Sequence, residues 1–178
     1  PQLGENIGMV ARAMGNCGLG DLRLVKPRDG WPNPSALAAA SGADRIIQDA
    51  RVFDSTADAV ADLHAVLATT ARPRDMTTDV LIPRTAAARL RAEVSAGGSA
   101  GVLFGKEAWG LSNDDVAHAD AVITVPLNPQ FSSLNLAQAV FVVAYEWFQA
   151  ADQTPDSELV MPKDTRPANK EEMKGLFT

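Results

Sequence analysis

The side chains of this sequence whose types and spacing could do chemistry fall in three short stretches. In "GENIGMVARAMGNCGLGDLRLV", which begins at Gly4, Ile7, Val10, Ala11 and Met14 recur at i, i+3, i+4 and i+7 and predict one buried helical stripe, with Arg12 off it. Gly8 and Gly15, at i−4 and i+3 from Arg12, predict nearly bare backbone around that side chain. A long cation on a smooth surface suits contact with an anion or another chain. The plainer reading is a solvated arginine paired with Glu5, and on spacing alone such surface charges are the commoner. Asn6 is placed as the helix N-cap. In "VLFGKEAWGLSNDD", which begins at Val102, an apolar run ends at Gly105, where a missing side chain permits close backbone approach by a ligand. Glu107 follows in the loop, idle in solvent or recruited to a site, and Ser112 to Asp115 makes a capping box. In "NPQFSSLNLAQAVFVVAYEWF", which begins at Asn128, Ser132, Ser133 and Asn135 stand at the mouth of an apolar helix. The free N–H groups of a first helical turn can receive an anion or a carboxylate. Ser132 or Ser133 as N-cap accounts for one polar residue and leaves the second serine and Asn135 over.

Composition narrows the classes. The 178 residues suit one domain with an appendage, and 46% apolar content supports a real core. One cysteine, Cys17, rules out an intramolecular disulfide and fits a reducing cytosol. His64 and His118 are the only histidines, too few for a Cys/His zinc site, so no metal is expected. The formal charge of −6 argues against a protein that grips nucleic acid over its whole surface. A local run of Arg72, Arg74, Arg84, Arg89 and Arg91 leaves room for one basic patch. The 134–148 run is interrupted by Asn135, Gln138 and Glu146 and is too short for a membrane span. "GNCGLG" lacks the Gly-x-Gly-x-x-Gly order and precedes a strand, which disfavours a nicotinamide-dependent oxidoreductase.

The elements that must position these residues alternate. Strand patterns at 21–25, 64–70, 101–105 and 121–125 are separated by helical patterns at 7–16, 34–40, 56–63, 85–95 and 112–119. That alternation predicts βαβ units and a parallel α/β sheet with helices on both faces. Ligands of such sheets bind beyond the carboxyl ends of the strands, here the loops "ATTARPR", "LFGKEAWGLSNDD" and "VPLNPQFSSLN". The 134–148 helix is apolar nearly all round: Leu134, Ala137, Phe141, Ala144 and Phe148 line one face, and Leu136, Val140, Val143 and Trp147 fill much of the rest. Burial on two sides in a domain this small predicts a homodimer through that helix. Residues 153–170 read as a linker, and 170–177 as the start of a further helical element.

Taken together, the three stretches resemble the SpoU branch of the SPOUT methyltransferases. "NIGMVARAM", "LFGKEAWGLSN" and "VPLNPQFSSLNLAQAVFVVAYE" are similar to its first, second and third motifs, in order, across 1–148. "ATTARPRDM" and the tail after the "YE" helix point within the branch to the TrmJ-like tRNA 2′-O-methyltransferases. The resemblance implies a SPOUT domain over 1–152 with a deep C-terminal trefoil knot, a first strand preceding Pro1, and a homodimer built on the last helix. It implies S-adenosylmethionine as cofactor, touching Thr69, Thr70, Ala71, Gly105, Val125, Ser132, Ser133 and Leu134. Asn6, Arg12, Glu107, Ser133 and Asn135 would carry the reaction. The activity implied is 2′-O-ribose methylation of cytidine or uridine at position 32 of a tRNA anticodon loop, in the cytoplasm. The alternatives are an rRNA substrate, or a silent RNA- or cofactor-binding domain. A guanidinium keeps its proton in proteins, so Arg12 would organise charge around a phosphate while phosphate or water assists removal of the ribose proton.

Overall fold

The computed structural model describes residues 1–71 and 78–152. The expected C-terminal linker and helix, and Arg72 and Arg74, lie outside the described residues. In chain order the elements are α1 (Gly4–Asn16), β1 (Arg23–Val25), α2 (Pro34–Ala40), α3 (Asp44–Gln48), β2 (Arg51–Phe53), α4 (Thr56–Val60) and β3 (Ala65–Thr69). They continue with β4 (Val80–Leu81), α5 (Pro83–Ser95), β5 (Ala100–Leu103), α6 (Asn113–Val116), β6 (Ala121–Ile123) and α7 (Leu136–Gln149). Every strand pairing is parallel, as the alternation predicts. The strands form two sheets instead of one: β1 with β2, and a second in the order β4-β6-β3-β5.

Two cores lie under these sheets, and α7 joins them. α1 buries Ile7, Val10, Ala11 and Met14 on the stripe their spacing predicts, against Leu24, Ala36, Ala40 and Ile47. The second core gathers Leu67, Ala86, Leu90, Ala121 and Ile123. Val140 of α7 enters the first core and Val143, one turn on, enters the second. Burying such a side chain is worth about 1.5–3 kcal/mol, so α7 couples both halves through its own inner face. Gly8 is not bare surface beside Arg12, since a Cβ there would overlap the carbonyl oxygen of Ala36. Its missing side chain lets α1 lie directly on α2.

Between the outer edges of β1 and β5 runs an apolar trough of about 850 Å³, lined by Leu22 and Leu24 on one side and Val102 and Leu103 on the other. β1 pairs only with β2, and β5 only with β3, so both facing edges are open among the described residues. The chain starts within it. Pro1 accepts from the Arg28 N–H at 3.2 Å, beyond β1, and the Gln2 N–H donates to Glu107 at 2.7 Å, beyond β5.

Candidate active site

Asn6, Glu107 and Asn135, 101 and 129 positions apart from Asn6 in sequence, meet in one hydrogen-bonded chain. The Asn135 amide donates to Oδ1 of Asn6 at 3.1 Å, and the Asn6 amide donates to Oε1 of Glu107 at 2.8 Å. Glu107 also accepts from the N–H groups of Gln2 and Leu3. Among the described residues Asn6 is the one polar residue buried in the core, at 5% exposure, and both ends of its amide are satisfied. It is not the N-cap of α1. The helix begins at Gly4, so Asn6 lies within the first turn and points inward to the other two motifs. Neither serine caps α7. Asn135 does, accepting from the Ala137 N–H at 2.8 Å while Gln138 accepts from the Asn135 N–H at 2.9 Å. Asn135 is therefore bifunctional, with its oxygen on the helix mouth and its nitrogen on α1.

The charge of Glu107 is held by this network. Burial opposes ionisation, but the donors from Asn6, from the Glu107 backbone and from Gln2 and Leu3 outweigh it and keep the carboxyl below its ordinary range. Glu107 is thus a bound anion that ties the start of α1 to the loop after β5. At Gly105 the close approach is made by the chain itself, since a Cβ would overlap the backbone of Gly110 and Leu111. The expected capping box from Ser112 to Asp115 is present on α6.

Arg12 stands apart from this network. It is exposed, makes no ion pair or hydrogen bond among the described residues, and does not pair with Glu5. With Met9, Leu134, Gln138 and Phe141 it lines an open groove of about 460 Å³ between α1 and α7. From Asn6 to Arg12 the helix rises about 9 Å, so the backbone of Arg12 lies nearly two turns along α1 from the amide chain. The members of the basic run among the described residues are engaged: Arg84 pairs with Glu146, Arg89 with Asp79, and Arg91 lies 3.6 Å over the Trp147 ring and donates to its carbonyl.

The strand ends expected to hold a cofactor do converge, because β3 lies between β5 and β6. The Thr69 hydroxyl donates to the Leu103 carbonyl at 3.0 Å and the Thr70 N–H to the Ile123 carbonyl at 2.9 Å. Val125 is half-buried just past β6, and Ala71 is exposed past β3. Ser132 and Ser133 are exposed on the loop that returns to α7, and no described side chain takes their hydroxyls. Sequence reasoning missed Thr124, whose hydroxyl reaches the Thr70 carbonyl at 3.4 Å, and Gln138, which completes the α7 cap. A Gln three residues after an Asn was the visible signal for the latter.

Parallel strands with polar loops gathered at their carboxyl ends define an α/β protein of ligand-binding architecture. The SpoU rRNA Methylase family profile matches residues 1–145, and the chain belongs to that family. It is 41% identical over 141 residues to a tRNA (cytidine/uridine/adenosine-2′-O-)-methyltransferase, TrmJ, of Pseudomonas aeruginosa, covering 79% of this chain and 54% of that protein. It superposes on the crystal structure of TrmJ from Z. mobilis ZM4 with TM-score 0.80 and 62% identity, covering 84% of this chain and 65% of that one. A structure described as giving insight into 2-OH methylation of C/U34 on tRNA matches with TM-score 0.65 and 28% identity, over 84% of this chain and 90% of that one. The chain thus spans about half to two thirds of the length of the first two.

Proposed function

We propose that this chain is the methyl-transferring part of an S-adenosylmethionine-dependent tRNA 2′-O-methyltransferase acting on cytidine or uridine. The observation that carries it is the Glu107–Asn6–Asn135 chain, which welds the three motif segments together beside the converged strand ends. The residues fit the cofactor: Thr69, Thr70, Ala71, Gly105 and Val125 offer backbone groups at adjacent strand ends, and Ser132, Ser133 and Leu134 lie on the loop that returns from β6 to α7. S-adenosylmethionine, when bound, supplies an electrophilic methyl group on a sulfonium.

Arg12 is free to hold a phosphate of the substrate and set the ribose 2′-oxygen in line with that methyl group. Orientation of this kind can contribute on the order of 7–11 kcal/mol at best. With the methyl donor held by those strand-end groups, Arg12 would hold the phosphate so that the proton of the 2′-hydroxyl can leave to a phosphate oxygen or water. Asn6, Glu107 and Asn135 act as positioning residues in this scheme, since their polar atoms are occupied by one another. Ser133 remains free to reach the ribose or the cofactor.

Three further features belong to the same reading. A homodimer is supported by the outer face of α7, where Phe141, Tyr145 and Phe148 remain exposed at 40%, 47% and 42% beside Arg12's groove. A trefoil knot is supported by β6 entering between β3 and β4, which both precede it. A strand preceding Pro1 is supported by the trough between the open edges of β1 and β5. Substitution of Arg12 tests the function. Arg12→Ala should abolish methyl transfer to bulk tRNA while cofactor binding and melting temperature hold, and normal turnover would refute the role. Mapping ribose methylation in tRNA and rRNA from a deletion strain separates position 32, which we favour, from position 34 and from rRNA.

A further inference from the structure

Ten lysines and arginines fall among the described residues, and seven are engaged by the protein itself: six in ion pairs, and Arg91 by the ring and carbonyl of Trp147. The three left over are Arg12, Lys26 and Lys106. On a chain of net charge −6, a polyanion is attracted only where cations are not already neutralised. Lys26 directly follows β1, Lys106 lies just past β5, and both line the same trough mouth. The Pro1–Arg28 and Gln2–Glu107 hydrogen bonds bring those two loops together. Arg28 is neutralised by Asp29, and Glu107 keeps its negative charge on its amide donors, so these groups together with the two lysines leave one net positive charge there.

Trp109 projects from the Lys106 loop. It and Phe131 are 76% exposed, while the next large hydrophobic residue, Val80, is 52% exposed. The tryptophan is presented on a pinned support. Lys106 and Gly110 form an antiparallel bridge, the Gly110 N–H donates to the Lys106 carbonyl at 2.9 Å, and Ala108 holds a left-handed φ of 69°. An exposed aromatic face on the same pinned loop as an unpaired cation is the combination that binds single-stranded nucleic acid, with phosphates on the cations and an unpaired base on the ring.

We propose that Lys26, Lys106 and Trp109 form a platform for single-stranded RNA flanking the methylated nucleotide, in which the two ammonium groups contact phosphates and the indole stacks beneath an unpaired base. This rests on the methyltransferase reading above. The apolar surface suited to a second copy lies elsewhere, on α7.

The test measures binding of bulk bacterial tRNA to the full chain over a salt series. Lys26→Gln with Lys106→Gln should weaken binding and flatten the slope of log affinity against log salt by about 1.5, the effect of two lost phosphate contacts. Trp109→Ala should weaken binding about five- to 150-fold with the slope unchanged, and Trp109→Phe should restore most of it. Cofactor titration and melting temperature, unchanged in all three variants, show that the fold is intact. An unaltered slope in the double variant, or unaltered affinity in Trp109→Ala, overturns the proposal while leaving the methyltransferase reading standing. A change in subunit mass without a change in tRNA affinity for Trp109→Ala gives the tryptophan to a second copy and also overturns it. A parent chain that neither binds nor methylates tRNA overturns both readings.

Discussion

The side-chain amide of Asn135 donates to the side-chain oxygen of Asn6 at 3.1 Å, although 129 positions of sequence separate them. Removing Asn6 leaves that donor, on the exposed Asn135, and one oxygen of the half-buried Glu107 without their partner. Asn6→Ala should cost on the order of 1–3 kcal/mol, the penalty of buried unsatisfied polar groups. In a thermal melt each kcal/mol appears as about 2–4 °C for a protein of this size. Asn6→Asp should be worse at neutral pH, because it sets a second carboxylate against Glu107. Its deficit should shrink as the solution is acidified and one carboxyl takes up a proton. A melt of Asn6→Ala that overlays the parent would show that the amide chain contributes nothing.

Glu107 also predicts the sign of a pH effect. Its carboxyl is held below the ordinary range in the folded chain, so its contribution is fully present above the unfolded value and is lost as pH falls through the folded one. Asp115 shifts the same way. Burial opposes its charge, but hydrogen bonds from Ser112, by side chain and backbone, and from Thr56 outweigh it. Glu107→Gln should therefore be less stable than the parent near neutrality, and the gap should narrow in acid. A gap that widens on acidification would contradict the network.

Much of this was legible in the sequence, and what was not has physical causes. The 3.6-residue stripe of Ile7, Val10, Ala11 and Met14 placed α1, and apolar runs placed β1, β3, β5 and β6. β2 and β4, of three and two residues, were too short to show a period, as was the five-residue α3. At the site the residue types were legible but their partnerships were not. An Asn near a helix start has a strong local reason to cap, and only tertiary packing turns Asn6 inward. Gly8 and Gly15 read alike in sequence because nothing local says which one faces α2.

Those two glycines give opposite predictions. A Cβ on Gly8 would overlap the Ala36 backbone, so Gly8→Ala must push α2 away from α1. A Cβ on Gly15 meets Ile46 at 3.4 Å and Ala43 at 3.9 Å, both ordinary van der Waals contact. Gly15→Ala should be neutral or stabilise the helix by about 0.5–1 kcal/mol. Gly8→Ala should cost more than 1 kcal/mol, within the range of overpacked cores. Chemical denaturation of the pair decides it, and equal effects would mean that α1 and α2 are not in backbone contact.

The exposed aromatic face of α7 predicts an association equilibrium. Phe141 and Tyr145 stack with ring centroids 5.8 Å apart, on the side of the helix away from both cores. Phe141→Glu should shift sedimentation toward the monomer. Methyl transfer should fall with it, because Phe141 and Arg12 border the same groove. A monomeric variant with full activity would separate the groove from the reaction.

The trough between β1 and β5 supports the last prediction. Two open sheet edges lined by Leu22, Leu24, Val102 and Leu103 leave unpaired backbone groups beside apolar walls, which is unfavourable unless something covers them. A strand in that slot would pair with both edges and join the two sheets into one. A strand preceding Pro1, as proposed above, would enter it, because Pro1 and Gln2 are tied to the loops beyond the two edges. Extending the chain upstream with its natural residues should raise the melting temperature by several times the 2–4 °C that one kcal/mol yields. Amide hydrogens of β1 and β5 should become protected from exchange together. An apolar-to-charged change such as Leu24→Asp should cancel most of that gain in the extended chain. If extension leaves both the melt and the exchange of β1 and β5 untouched, the trough is not the seat of that strand.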